Sequence, residues 1–160
     1  MINIIIAEHQ AIFRAGVAKV LAVEDDLRIV GQPQSSEQML NALEHLRAHV
    51  LMISTRFLPQ FSQVQELTAR HNTAIMVLAE PGDAASAFIV MGALGVVYRS
   101  INGPTIVDAV RRLGRGELKP FSDWDDGRPE TELNFKFYRQ ATNKIGGISD
   151  EAAAFLRRSF

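Results

Sequence analysis

Cysteine is absent from the 160-residue chain, and so are long apolar runs. Without cysteine the chain can form neither disulfides nor thiolate or zinc–sulfur sites. The apolar run at residues 2–7 is too short for a signal peptide, and Glu8 follows it at once. No segment reaches the roughly 18 apolar residues that a membrane-spanning helix needs. The sequence therefore predicts a cytoplasmic protein that does not contact membranes.

An excess of positive charge is also missing. Residues 1–116 carry 10 acidic and 10 basic side chains, and residues 117–160 carry 8 and 7. Because a polyanion is attracted mainly by a basic surface, we expect no nucleic-acid partner. The 47% of apolar and 22% of charged residues are typical of a folded globular domain.

Short apolar runs alternate with segments of helical periodicity in the first part of the chain. The predicted strands are residues 2–7, 27–32, 50–54, 74–79 and 95–98. Helix starts are predicted at Ser35, Ser62, Asp83 and Pro104. Strict strand–helix alternation implies right-handed crossovers. We therefore predict an α/β, doubly wound, five-stranded parallel sheet that helices cover on both faces.

The composition changes after Gly116. Residues 117–132 are polar and rich in turn formers, the segment LNFKFYRQ allows a short strand, and residues 149–160 are predicted to form a closing helix. Trp124, Phe137 and Phe155 belong to an aromatic group concentrated in this extension. These rings could stack on nucleic acid, but the neutral local charge favours packing on the domain or on a protein partner.

Four segments in order, INIIIAEHQAIFRAG, VLMISTRF, AIMVLAE and MGALGVVYRS, resemble the response-regulator receiver domain of the NarL/FixJ type. The resemblance covers residues 2–116 and implies the CheY-like strand order 2-1-3-4-5. We accordingly divide the chain into a receiver-like domain, residues 1–116, and an extension, residues 117–160. The extension has 44 residues, too few for the helix-turn-helix segment that relatives of this type usually carry.

The resemblance also implies a site at the carboxyl edge of the sheet. In the family an acidic pair and an acceptor aspartate hold Mg²⁺, which prefers oxygen ligands, while a strand-four hydroxyl and a strand-five lysine meet the phosphoryl group. The matching positions in this sequence are Glu8 and His9, Ser54, Ala79 and Arg99. Serine cannot form an acyl phosphate. The resemblance therefore implies a degenerate phosphoacceptor pocket, with no catalytic residue, no bound metal and no cofactor.

Other interpretations of these residues stay open. Ser54 and His9 could form a nucleophile pair, although no third residue is evident to orient the imidazole. Glu8 and His9 could bind a transition metal, although an isolated pair of this kind is more often hydrogen-bonded. Arg99 could pair with Glu8 through two parallel contacts and hold the pocket in one conformation, or its presence there could be coincidental.

We therefore expect a non-enzymatic, phosphorylation-independent module that binds another regulator or a second copy of itself, as a homodimer. An alternative is a sensor in which Arg99 binds a nucleotide or metabolite in the former acceptor pocket. The predicted interaction surface consists of Tyr98, Ile106, Val110, Arg111, Trp124, Phe137 and Phe155.

Overall fold

The computed structural model describes residues 1–84, 88, 92–117 and, by their backbone, 135–137. Strands β1 to β6 are Ile2–Ala7, Leu27–Gly31, Val50–Ser54, Ala74–Ala79, Gly95–Tyr98 and Phe135–Phe137. Helices α1 to α4 are Ala11–Ala22, Ser36–His45, Phe61–His71 and Gly103–Gly114, and a 3₁₀ helix spans Thr55–Gln60. Among the described helices, none has the length and apolarity needed to cross a bilayer.

The strands form one sheet in the order β2-β1-β3-β4-β5-β6. The first five are parallel, which confirms the predicted order 2-1-3-4-5. Strand β6 lies within the segment LNFKFYRQ and pairs antiparallel with β5. Of the helix predicted after Asp83, Phe88 is described, and it is helical and buried. The closing helix predicted at residues 149–160 lies outside the described residues.

Apolar side chains cover both faces of the sheet. Along β1, Ile4 and Ile6 pack with α1 and α4, whereas Ile5 and Ala7 pack with α2 and α3. Adjacent residues of a strand point to opposite faces. The apolar run at residues 4–7 of β1 is therefore explained by burial on both sides, as expected for a central parallel strand.

Two of the predicted helix starts differ from the structure. Helix α3 begins at Phe61, directly after the 3₁₀ helix, so that Ser62 lies inside it and does not cap it. Helix α4 begins one residue before Pro104, because the side chain of Asn102 accepts a hydrogen bond from the Thr105 backbone N–H at 2.9 Å. Ser35 caps α2 as predicted, accepting from the Gln38 N–H at 3.2 Å.

Candidate functional site at the carboxyl edge of the sheet

The predicted site residues lie at the ends of four neighbouring strands. Glu8 follows β1, Ser54 ends β3, Ala79 ends β4 and Arg99 follows β5. Because parallel strands direct their carboxyl ends to one edge of the sheet, these positions are brought together from distant parts of the chain. The structure shows direct contacts between Glu8 and Arg99 and between Ser54 and His9.

Glu8 is a buried carboxylate, with 0% of its side chain exposed. Its Oε1 accepts hydrogen bonds from the Gln10 backbone N–H at 2.9 Å and from Arg99 Nη2 at 3.1 Å. Its backbone carbonyl accepts a bond from Arg14 Nη1 at 2.7 Å. An isolated buried carboxylate would be strongly unfavourable, and the bonds from Gln10 and Arg99 offset part of that cost.

The second Glu8 oxygen faces the second Arg99 amino group. Glu8 Oε2 and Arg99 Nη1 are 2.9 Å apart, yet their angle does not satisfy hydrogen-bond geometry, and neither atom has another hydrogen-bond partner among the described residues. The short distance still indicates an attractive contact in spite of the poor hydrogen-bond angle, because attraction between opposite charges does not depend on a narrow angle. The two-fold contact anticipated from the sequence is therefore present, with one directed hydrogen bond and one close charge contact.

Arg99 also contacts a second carboxylate and an aromatic ring. Its Nε donates to Glu80 Oε1 at 2.6 Å, and its guanidinium carbon lies 4.6 Å from the centre of the Phe13 ring. Burial by itself would lower the pKa of Arg99, but the hydrogen bonds and charges of Glu8 and Glu80 outweigh burial, and its pKa is raised above the ordinary value. We call Glu8, Arg99 and Glu80 the rim ion cluster.

The contacts of Arg99 bear on the small-ligand alternative. All three side-chain nitrogens of Arg99 face carboxylate oxygens, and only 11% of the side chain is exposed. A nucleotide or metabolite could contact this guanidinium only after at least one of these ion pairs had opened. The sensor hypothesis therefore requires a rearrangement of the rim ion cluster.

Ser54 and His9 are hydrogen-bonded, but their arrangement differs from that of a nucleophile and base. His9 Nδ1 lies 3.1 Å from Ser54 Oγ and also 3.1 Å from Glu8 Oε1. In a catalytic triad the imidazole uses one nitrogen for the nucleophile and the other for the carboxylate. Here one nitrogen faces both groups, and Ser54 is fully buried. The geometry fits a polar contact that satisfies a buried hydroxyl.

The same residues do not fit the Mg²⁺ of the receiver family. Both Glu8 oxygens face the guanidinium of Arg99. The other two family positions are an imidazole, His9, and a hydroxyl, Ser54. Over the described ranges, no group of three or more His, Cys, Asp or Glu side chains has an arrangement suited to a metal ion. Mg²⁺ is usually held by carboxylates and phosphate oxygens, and a permanent cation already lies beside the one central carboxylate.

Ala79 and Tyr98 lie on the neighbouring strands β4 and β5, as register partners. Ala79 is fully buried and offers only a methyl group where the family has a hydroxyl. The Tyr98 hydroxyl donates to the backbone carbonyl of Asp83 at 2.9 Å. This bond ties the end of β5 to the loop after β4.

Several residues assigned to an interaction surface are placed differently by the structure. Ile106 and Val110 are 3% and 0% exposed and belong to the core between α4 and the sheet, so their assignment to a surface is wrong. Their helical spacing is equally typical of a face that packs inward. Arg111 is partly exposed and pairs with Glu24 and Asp26. Trp124 and Phe155 lie outside the described residues, as does the side chain of Phe137.

Two members of the site were missed by the sequence analysis. Glu80 follows β4 directly, as Glu8 follows β1. A carboxylate in that position at the same edge of the sheet was a usable signal, although its partner could not be inferred. Phe13 gave no comparable signal, because an aromatic residue in the apolar stripe of α1 predicts only core packing.

Comparisons with known proteins agree with the architecture. No protein-family model matches the chain. The transcriptional regulatory protein DegU of Brevibacillus brevis is 23% identical over 121 residues, covering 72% of this chain and 51% of DegU. The chain thus spans about half the length of this curated relative.

Solved structures of receiver domains are also similar to this chain. The isolated REC domain of RcsB from Salmonella enterica serovar Typhimurium is 24% identical, with a TM-score of 0.64 over 76% of this chain and 95% of that one. The signal receiver domain of NarL from Mycobacterium tuberculosis is 18% identical, with a TM-score of 0.63 over 72% and 97%. The chain therefore has the fold of the response-regulator receiver domains, and the fold implied by its sequence motifs is confirmed.

Proposed function

We propose that this chain is a signalling module with a receiver fold that binds another protein without being phosphorylated. The observation that supports this proposal is the rim ion cluster, in which Arg99 contacts both oxygens of the buried Glu8. A guanidinium stays charged at every physiological pH. The cation that a receiver of the usual kind gains from Mg²⁺ is here part of the polypeptide.

The neighbouring positions support the same proposal. Ser54 at the acceptor position is fully buried and hydrogen-bonded to His9. A phosphoserine ester would also lack the ready turnover of an acyl phosphate. Ala79 has no hydroxyl that could form a hydrogen bond with a phosphoryl group. Both the acceptor position and the strand-four position are therefore unsuited to a signal carried by phosphorylation.

A fixed site has a consequence for regulation. A ligand or modification shifts a conformational equilibrium only if it interacts differently with the two states. With phosphorylation removed, the inputs that need no opening of the rim ion cluster are a protein partner and the amount of the chain in the cell. The balanced charge of residues 1–116 favours a protein over a nucleic acid as that partner.

The first experiment measures phosphoryl transfer directly. The full chain is incubated with acetyl phosphate and Mg²⁺, and its intact mass is measured. We expect no adduct, because Ser54 is buried and the Glu8 carboxylate is paired with Arg99. One phosphoryl group per chain at stoichiometric level, whether acid-stable or labile, would overturn the proposal.

Two variants separate the acceptor from the ion cluster. Ser54→Asp restores a carboxylate acceptor but leaves Arg99 on Glu8, and we expect it to remain unmodified. Ser54→Asp combined with Arg99→Lys relaxes the two-fold contact, since an ammonium group cannot reproduce the guanidinium fork, and we expect partial modification. Full modification of Ser54→Asp alone would show that Arg99 does not block the site. Circular dichroism of each variant checks that it is folded.

A further inference from the structure

A pocket lies at the amino edge of the sheet, opposite the rim ion cluster. Its lining includes His49, which precedes β3, Thr73 and Ala74 at the start of β4, and Leu94, which precedes β5. Residues from the ends of α3 and α4 complete its walls. Its volume is about 540 Å³, within the range of about 300–1,000 Å³ that is usual for pockets with an occupant.

Strand β6 runs toward this pocket. It is antiparallel to β5, so that Phe135 pairs with Val97 and Phe137 pairs with Gly95. Leu94 is the next residue toward the amino edge, and it lines the pocket. The direction and register of β6 therefore bring the end of this strand to the Leu94 side of the pocket.

The dimensions of the sheet show how much chain the pocket needs. The starts of β5, β4 and β3 are neighbours, and neighbouring strands are about 4.8 Å apart, so the path from Leu94 to His49 is roughly 10 Å. An extended chain covers about 3.4 Å per residue. Three residues therefore cross the pocket, and the three that follow β6 are residues 138–140, Tyr-Arg-Gln.

We infer that residues 138–140 of the same chain occupy this pocket, with Tyr138 as the anchor. A tyrosine combines an apolar ring with a polar hydroxyl. The pocket offers the apolar side chains of Leu94 and Leu113 to the ring. The Thr73 hydroxyl donates to a backbone carbonyl at 2.8 Å, and its oxygen can still accept a bond from the tyrosine hydroxyl.

A free metabolite is less suited to the same pocket. Among the described lining residues only His49 and Arg115 have ionisable side chains. Arg115 already lies 3.8 Å from Asp26 and 4.0 Å from Glu117, so it adds little attraction for an anion. A segment that is tethered beside the pocket acts, by contrast, as if present at millimolar concentration.

The shortness of β6 supports an anchor of this kind. Only three residues, Phe135–Phe137, pair with β5. So few backbone contacts do little to offset the conformational entropy lost when a chain is ordered. An aromatic anchor directly after the strand would add the apolar contact that the pairing lacks. This inference goes beyond the proposed function, since its tests involve neither phosphate nor a partner.

The first test is chemical cross-linking in the full chain. The chain has no cysteine, so two introduced cysteines are its only thiols. Ala69 is exposed on α3 and lines the pocket. We expect Ala69→Cys with Gln140→Cys to be linked by a short bismaleimide within one chain, as shown by intact mass and peptide mapping. The absence of a link, or a link only between two chains, overturns the inference.

Gln63 supplies a matched control. It is exposed on the same helix, does not line the pocket, and lies about 9 Å from Ala69 along the helix axis. Gln63→Cys with Gln140→Cys should be linked about tenfold more slowly, because Gln140 is held at the other end of the helix. Equal rates for the two pairs would contradict a fixed position for residues 138–140.

The second test is the rate at which trypsin cleaves the full chain after Arg139. Proteolysis of a docked segment follows the population of its open form. Ala69→Trp should fill the pocket and raise this rate about tenfold. Tyr138→Ala should do the same without changing the pocket, whereas Gln63→Trp should be cleaved like the wild type. Circular dichroism checks that each variant is folded. Equal rates in the wild type, Ala69→Trp and Tyr138→Ala overturn the inference.

Discussion

Two arginines of this fold each contact two carboxylates. One of these arginines lies at the carboxyl edge of the sheet and the other at the opposite edge. At the carboxyl edge, Arg99 contacts Glu8 and Glu80. At the opposite edge, Arg111 in the last turn of α4 contacts Glu24 and Asp26, which precede β2. We call these last three residues the lower ion cluster. The two clusters have similar chemistry but different surroundings.

Burial is the property that separates them. Glu8 is 0% exposed and Arg99 11%, whereas Glu24, Asp26 and Arg111 are 30–36% exposed. Water and salt can replace the contacts of the lower ion cluster, but they cannot reach Glu8. The comparison shows why burial matters for an arginine–carboxylate ion pair. The pair holds a site in one conformation only where the surrounding protein keeps water and salt away from it.

The largest expected effect comes from removing the buried arginine. Arg99→Ala leaves the Glu8 carboxylate buried without its main partner, and we expect a loss of about 3–5 kcal/mol in the free energy of unfolding, measured in urea. Arg111→Ala is the matched control and should cost much less. Equal losses would show that burial does not distinguish the two clusters.

The aromatic contact of Arg99 gives a second, smaller effect. Phe13→Leu removes the ring over the guanidinium, and we expect a loss of about 1–2 kcal/mol. The measurement is a double-mutant cycle with Arg99→Ala. If Phe13→Leu costs the same in the Arg99→Ala background, the ring contributes to packing and not to the stability of the cation.

The lower ion cluster should respond to acid. The hydrogen bond from Arg111, against some opposing burial, lowers the pKa of Asp26 from 3.8 to about 2. A carboxylate with a lowered folded-state pKa stabilises the fold above its unfolded pKa and loses that contribution as the pH falls through the folded value. The stability difference between wild type and Asp26→Asn should therefore shrink below pH 3.8 and vanish near pH 2.

A neighbouring carboxylate provides the control for the acid experiment. Asp25 is exposed and makes no ion pair with the described residues. Asp25→Asn is measured beside Asp26→Asn over the same pH range, so that the effect of replacing an exposed carboxylate in this turn is known. A difference for Asp26→Asn that grows toward low pH would contradict the assignment of its partner.

Salt should produce the smallest effect and should act on one cluster only. The screening length falls from about 10 Å at 0.1 M to about 3 Å at 1 M salt. We expect the cost of Arg111→Ala to decrease over this range, whereas the cost of Arg99→Ala stays almost unchanged. Parallel urea titrations of both variants at several NaCl concentrations measure this difference.

The fold could be predicted from the sequence because its signals are local and repeated. The apolar runs at residues 2–7, 50–54 and 74–79 match strands β1, β3 and β4 residue for residue. The start of α3 could not be predicted in the same way. Pro59 lies within a 3₁₀ helix that continues into α3, so that the capping pattern at Ser62 has no free helix end to cap.

The site could be predicted in its positions but not in all of its contacts. The resemblance to the receiver family identified Glu8, Ser54 and Arg99, and the structure shows the contact between Glu8 and Arg99 that was considered for them. The contact of Glu80 depends on the direction of the Arg99 side chain, which no periodicity encodes. Likewise, the apolar stripe of α4 shows that Ile106 packs somewhere, without showing whether it packs inward or against a partner.

The permanence of the guanidinium at the rim of the sheet has a consequence for timing. An acyl phosphate hydrolyses, so a signal stored in one decays with a lifetime set by chemistry. The side-chain cation of Arg99, which contacts Glu8 and Glu80, is not lost by hydrolysis and therefore has no such lifetime. In the proposed function, the duration of this protein's output is set by how long its partner stays bound and by how quickly the polypeptide itself is synthesised and degraded.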